Sequence, residues 1–157
     1  MADTAEQSGF ILINKPVGPT SHDIIDKLRR ITGLKKIGHA GTLDPLASGL
    51  LICAIGRAAT RQIDGFVKQD KVYEAEMTLG ATSDTYDSQG LIVAREVEAV
   101  SRELIEKTLL KFVGEQWQVP PMYSAKKVAG QKLYELARKG IEIKREPCRI
   151  IITRLEL

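Results

Sequence analysis

Apolar residues fall along this chain with two different periods, and each change of period marks a new element. Continuous apolar runs at residues 9–14 and 50–55 predict two buried strands. Residues 71–79 alternate instead, with Tyr73, Ala75, Met77 and Leu79 on one side and Val72, Glu74, Glu76 and Thr78 on the other. A period of two predicts a strand with one buried face. Shorter strands are predicted at 91–94, 116–119, 141–144 and 149–157, with an extended piece at 124–128. Helical spacing lies between them. Thr20 and Asp23 are spaced as a capping box, and the helix they open carries Ile24, Leu28 and Ile31 on one face before Gly33 stops it. A helix is predicted within 56–67, with Arg57 and Arg61 one turn apart. Ser101 opens another, with Ile105, Leu109 and Phe112 inward and Gly114 at its end. A short helix covers 132–139, ended by Gly140. Residues 80–90 and 120–124 read as loops, and the chain has no internal repeat. Hairpin-like strands mixed with isolated helices predict an α+β fold, not a βαβ repeat.

One stretch carries unusual chemistry. Residues 37–51 read Ile-Gly-His-Ala-Gly-Thr-Leu-Asp-Pro-Leu-Ala-Ser-Gly-Leu-Leu. Glycines at 38, 41 and 49 free the backbone for turns, and Pro45 pushes Asp44 toward an extended conformation. Asp44 is the one carboxylate between Asp26 and Asp64. An ionisable group on a stiff loop ahead of a core strand is how a scaffold presents a reactive side chain. The ordinary alternative is a turn aspartate that caps backbone N–H groups. Just ahead of this loop come Lys27, Arg29, Arg30, Lys35 and Lys36. They form either a solvated face or a phosphate-contacting edge leading into the Asp44 loop.

Composition narrows the class. The 157 residues suit one domain, long enough to bury roughly 68–70% of the surface its unfolded chain exposes. A net charge of +3 permits nucleic-acid binding without demanding it. The polar start, 1–8, has no apolar core of a secretory signal, and no apolar run approaches a membrane span. Cys53 lies in an apolar run and is expected to pack as a small hydrophobe. Two His, two Cys and no paired-cysteine or zinc-helix motif argue against a metal site. The expectation is a cytoplasmic protein without metal or membrane anchor.

The segment Gly38-His39-Ala40-Gly41-Thr42-Leu43-Asp44-Pro45 resembles the catalytic motif of the TruB-type tRNA pseudouridine synthases. Other segments resemble that family in the same order and nearly the same spacing. They are Lys15-Pro16-Val17-Gly18-Pro19-Thr20-Ser21, Tyr73 with Leu79-Gly80, and Asp84-Thr85-Tyr86-Asp87 with Gly90. Pro120-Pro121-Met122-Tyr123-Ser124-Ala125-Lys126-Lys127 and the run from Gly130 to Arg138 complete the set. The resemblance runs from about Phe10 to the end of the chain. It implies a mixed, mostly antiparallel sheet with flanking helices, the pseudouridine synthase fold. It also implies isomerisation of the uridine at position 55 in the tRNA T arm, with no cofactor and no metal, by an enzyme that is monomeric when complete.

The same resemblance distributes roles. The essential aspartate is Asp44, acting either as nucleophile at C1′ or as the base that takes the 2′ proton; the sequence leaves both open. Free Asp is already ionised at neutral pH, so it needs placement more than activation. The target base must be extruded from its RNA loop, which costs a few kcal/mol of stacking. An apolar strand face alone would make Tyr73 a core residue; the resemblance matches it to the tyrosine that packs on that base and favours the site. His39 matches a histidine that touches the RNA loop. Lys15 and Pro16 match a motif bracing the catalytic loop, with Lys15 structural or phosphate-facing. Asp87 falls on a substrate-side loop, with an Asx turn as the structural alternative. Tyr123, interleaved with Lys126, Lys127 and Lys132, suits single-stranded RNA, where rings stack and lysines neutralise phosphates.

The pattern also departs from the family. Residues 56–61 carry one residue more than the usual motif, so neither Arg57 nor Arg61 takes a role. The family's Lys-Gly-Thr-Tyr-Ile-Arg segment, whose Arg pairs with the catalytic Asp, a later pocket Leu and the PUA domain are not present in these 157 residues. The chain therefore reads as a polar tail, 1–9, and a partial catalytic domain, 10–157, incomplete at its C-terminus. A non-catalytic tRNA-binding or chaperone module derived from such an enzyme is the second reading. A third, an Asp-based glycoside hydrolase, would want a second carboxylate at matched distance, and only Glu74, Glu76 and Asp84 offer one.

Overall fold

The computed structural model describes residues 8–124, 126–128 and 130–157, and of Lys127 only the backbone. The described chain is α+β, and its strands pair antiparallel throughout. It divides into two compact units, one ending at Glu74 and the other spanning Ala75–Leu157.

The first unit is a three-stranded sheet with a helix packed on it. Strand β1 (Gly9–Lys15) pairs with β3 (Gly49–Ile55) in full register, from Gly9 opposite Ile55 to Lys15 opposite Gly49. Strand β2 (Ile37–His39) pairs on the other side of β3, with Ile37 opposite Ile55. Helix α1 (Ser21–Thr32) lies between β1 and β2 in sequence. The expected capping box forms. The Asp23 amide donates to the Thr20 hydroxyl, and the Thr20 amide donates to the Asp23 carboxylate. Gly33 ends the helix with φ 72°, a left-handed conformation in which a Cβ would be strained.

The buried stripe of α1 is Ser21, Ile24, Ile25 and Leu28, and the three apolar members pack with Ile37, Leu51 and Cys53. This corrects the predicted face at one position. Ile31 is 70% exposed, because the stripe follows the 21–24–25–28 spacing and Ile31 lies beyond its last turn. The single helix expected within 56–67 is two short ones, α2 (Gly56–Thr60) and α3 (Ile63–Val67). A turn at 61–62 separates them, with the Gln62 amide donating to the Ala59 carbonyl.

The second unit holds three antiparallel ribbons. Strand β4 (Ala81–Ser83) pairs with β5 (Ile92–Ala94), and β6 (Gly114–Gln118) with β9 (Cys148–Ile152). Strand β7 (Lys127–Val128) pairs with β8 (Gln131–Lys132), which leads into α5 (Leu133–Ala137). Helix α4 (Arg102–Leu109) begins where predicted, with the Leu104 amide donating to the Ser101 hydroxyl, and runs into a 3-10 turn at Leu110–Phe112. Its predicted inward residues Ile105 and Leu109 are half-buried, and Phe112 is exposed.

Two predicted strands do not form. Residues 71–79 and 141–144 have no regular structure, and Val72 is 99% exposed. A strand is defined by its ladder, and neither segment has a pairing neighbour among the described residues. Alternation alone supplies a face without supplying the strand that would pair with it.

The core makes a quantitative prediction. Leu51→Ala removes a fully buried side chain beneath α1 and is expected to lower unfolding stability by about 2–5 kcal/mol in denaturant titration, while Ile31→Ala stays within about 0.5 kcal/mol. Equal effects would misplace the stripe. Burial also pushes the Cys53 thiol up to about 11, so near neutral pH it stays protonated as well as shielded. A thiol reagent counted by mass spectrometry should leave Cys53 unlabelled in the folded chain and label it on unfolding.

Candidate active site

The loop between β2 and β3, residues 40–48, carries Asp44, and it is fixed at several points by identifiable bonds. The Ala40 amide donates to the Ile52 carbonyl at 2.8 Å, extending the β2–β3 ladder into the loop's start. The His39 ring nitrogen Nδ1 bonds the Gly41 carbonyl, curling the backbone over its own side chain. The Ala47 amide donates to the Asp44 carbonyl at 3.0 Å and closes a turn through Pro45.

The decisive contacts flank Asp44. The Ser21 hydroxyl donates to the Leu43 carbonyl at 3.1 Å and accepts from the Leu43 amide at 2.9 Å. The Gly18 amide donates to the Pro45 carbonyl at 2.8 Å. Residues 43 and 45 are therefore each tied to the segment 15–21, and Asp44 stands between the ties. Asp44 itself is exposed, and no hydrogen bond or ion pair engages its carboxylate among the described residues. Its backbone is held while its side chain faces water.

Lys15 builds the other side of the brace. Its side chain is fully buried at the end of β1, and Nζ donates to the carbonyls of Pro16 and Pro19, both at 2.9 Å. A buried lysine needs such acceptors to offset lost hydration. By gripping both ends of the 16–19 turn, it holds Gly18 where its amide meets Pro45. Of the two readings of Lys15, structural or phosphate-facing, its burial favours the structural one and not the substrate contact. It presents no charge at the surface, and two of its three N–H donors are engaged by the turn. Ser21 is a residue whose role the sequence reading missed. A signal was present, since Ser21 is a polar residue on an otherwise apolar helical stripe.

None of the other candidates takes part in the bonds between residues 15–21 and the loop. His39 is half-buried at the end of β2. Tyr73 is 73% exposed on the unpaired segment, so the strand expected to present it is absent. Asp87 accepts from the Thr85 hydroxyl at 2.6 Å and from the Gln89 amide at 2.9 Å, the Asx-turn arrangement. The Asp84 carboxylate accepts from the Leu91 amide at 2.7 Å, and Glu74 and Glu76 are exposed. Gly90 lies so close to Asp84, Thr85 and Ser83 that a Cβ would collide with all three. Tyr123 lines an open pocket of about 290 Å³ with Tyr86, Met122, Ile141 and Arg145. Lys132 Nζ and the Arg138 guanidinium each lie 5.4 Å from the centre of the Tyr134 ring. Lys127 is on β7, but its side chain, like Ala125, lies outside the described residues. Among the described residues no group of three or more His, Cys, Asp or Glu is placed to hold a metal, and no helix is long and apolar enough to cross a membrane.

The α+β chain thus holds the backbone on both sides of one aspartate and leaves its carboxylate exposed. A family model described as the N-terminal domain of TruB family pseudouridylate synthases matches residues 29–157. The chain belongs to the TruB family of pseudouridylate synthases. It is 49% identical over 149 residues to the tRNA pseudouridine synthase B of Fusobacterium nucleatum, covering 95% of this chain and 52% of that protein. It is 49% identical over 150 residues to the enzyme of the same name from Clostridium kluyveri, covering 95% of this chain and 51% of that protein. The chain spans about half the length of these curated relatives. Among solved structures, a chain in the crystal structure of a Cbf5-Nop10-Gar1 complex superposes with a TM-score of 0.52 at 30% identity, over 76% of this chain and 31% of that one.

The brace is testable without any substrate. Ser21→Ala leaves the Leu43 amide and carbonyl without their partner, a cost of about 1–3 kcal/mol for buried groups. Hydrogen exchange at the Leu43 and Gly18 amides should accelerate, while exchange across the β1–β3 ladder stays slow. Uniform acceleration of both would mean that Ser21 serves the core and not the loop.

Proposed function

We infer that this chain carries the catalytic aspartate of a tRNA pseudouridine synthase, acting on the uridine at position 55 of the T arm in the cytoplasm. One observation carries the reading. Asp44 is exposed between two residues whose backbones are each bonded to the segment 15–21. The names of the relatives supply the reaction class, and the brace supplies a reason for Asp44 to be its agent.

The chemistry asks for little else. The N-glycosidic bond of uridine breaks, the base turns without leaving, and a carbon–carbon bond forms to the same sugar. A carboxylate beside the sugar serves either as nucleophile at C1′ or as acceptor of the 2′ proton. Either role needs an ionised oxygen held at a fixed distance, and a loop with little freedom reduces the entropy lost in reaching that geometry. His39, at the foot of the loop, would meet RNA entering it. Tyr73 and Tyr123 offer rings for extruded or single-stranded bases, where one stacking contact contributes about 1–3 kcal/mol. Lys127 would neutralise phosphate, and Asp87 orders a loop on the substrate side. No step in this scheme calls for a metal or a redox cofactor, and one copy of the chain supplies all of these residues, in keeping with a monomer.

The exposed Tyr73 favours a second reading for the 157 residues alone, an RNA-binding module without turnover. One experiment separates the two. Pseudouridine formation in unmodified T-arm RNA is measured for the 157-residue chain and for one extended to the relatives' full length, each with and without Asp44→Asn. The expected result is product from the extended chain, loss of at least about three orders of magnitude in rate on Asp44→Asn, and RNA affinity within about twofold. Turnover retained by Asp44→Asn would remove Asp44 as catalyst. Product from the 157 residues alone would exclude the module reading.

A further inference from the structure

Lys35 and Lys36, ahead of the Asp44 loop in sequence, do not lie beside it in space. The Lys36 carbonyl accepts from the Gly56 amide, and Ile37 pairs with Ile55, so Lys35 and Lys36 sit where β3 ends and α2 begins. The Asp44 loop returns at the opposite end of β3, at Gly49. Seven residues of strand separate the two ends by about 20 Å. Helix α1 runs the same way. Ser21, at its start, touches the loop, and the Arg29 guanidinium near its end donates to the carbonyls of Lys35 and Ile37. Twelve residues of helix span about 18 Å, in agreement with the strand.

Cations also predominate in this part of the sequence. From Lys27 to Ile63 the chain has seven Lys and Arg against Asp44 alone, while the rest carries sixteen against nineteen acids. The whole net charge of +3 therefore hides a block of +6 set in a chain that is otherwise −3. Within the block, Arg29 is paired with Asp26. Lys27, Arg30, Lys35, Lys36, Arg57 and Arg61 are exposed, and none forms a salt bridge among the described residues. Nothing in the packing of α1 requires them, since its core stripe is Ser21, Ile24, Ile25 and Leu28.

We propose that Lys35, Lys36 and Arg57 form a second RNA contact that holds the phosphate backbone of a helical stem about 20 Å from Asp44. The proposal rests on the reading of the chain as a tRNA-modifying enzyme. A substrate whose loop meets Asp44 must carry its stem somewhere, and duplex RNA offers a line of phosphates rather than a sequence to read. A cluster of unpaired cations suits that line. Lysines contribute charge without demanding a bidentate geometry.

The test uses the 157-residue chain and two hairpin RNAs of T-arm sequence. One stem is too short to span 20 Å, and the other is long enough to pass it. In Lys35→Gln/Lys36→Gln/Arg57→Gln, affinity for the long hairpin is expected to fall at least about tenfold, with a salt slope shallower by about two to three, while affinity for the short hairpin changes less than about twofold. A control, Lys107→Gln/Lys111→Gln/Lys139→Gln, loses the same charge elsewhere and should leave both affinities near wild type. Circular dichroism confirms that all three chains are folded. Equal losses on both hairpins, no loss on the long one, or an equal loss in the control would each overturn the proposal. Wild type binding neither hairpin would instead strike the functional reading beneath it.

Discussion

The hydroxyl of Ser21 is the point on which the candidate site depends. It is the first residue of α1, buried against the sheet, and it bonds both backbone groups of Leu43. Helix packing and loop placement are thus the same event. The apolar stripe of α1 sets the helix on the sheet, and the hydroxyl at the head of that stripe sets the loop on the helix. The capping box at Thr20 and Asp23 fixes where the helix begins, and hence where that hydroxyl stands.

Lys15 completes the arrangement by a different route. Few proteins bury a lysine fully without a carboxylate partner. Here the side chain folds back onto two carbonyls of its own turn, so a residue type normally found in water acts as an internal clasp. The two braces reach Asp44 from either side, one through a hydroxyl and one through a glycine amide. Neither touches the carboxylate. The loop is specified by its backbone, and the Asp44 side chain is left exposed.

Local signals in the sequence were reliable where the physics was local. The capping box, the glycine stop of α1, the runs that became β1 and β3, and the Ser101 cap all depend on residues within a turn or a ladder of one another. Readings that needed a partner elsewhere in the chain were less secure. Residues 71–79 alternate cleanly yet have no ladder, and Ile31 fits a helical period but falls beyond the face that the sheet covers. The Asp44 loop was visible as a glycine-flanked aspartate, whereas its brace was not, because Ser21 and Leu43 are 22 positions apart and nothing in either residue alone points to the other. The distance of Lys35 and Lys36 from the loop was hidden for the same reason, since β2 carries them away from it.

The separation between Ser21 and Leu43 bears on how the chain folds. Every bond in the brace joins residues within about thirty positions, and the sheet that receives it closes by Ile55. Short loops close at small entropic cost, and contacts of this range form early. The Asp44 loop can therefore be in place on a nascent chain before the second unit has been synthesised. A substitution that slows closure of this first unit would leave Phe10, Ile11 and Leu12 of β1 unpaired for longer during synthesis, so the 15–21 segment bears on folding as well as on the placement of the loop.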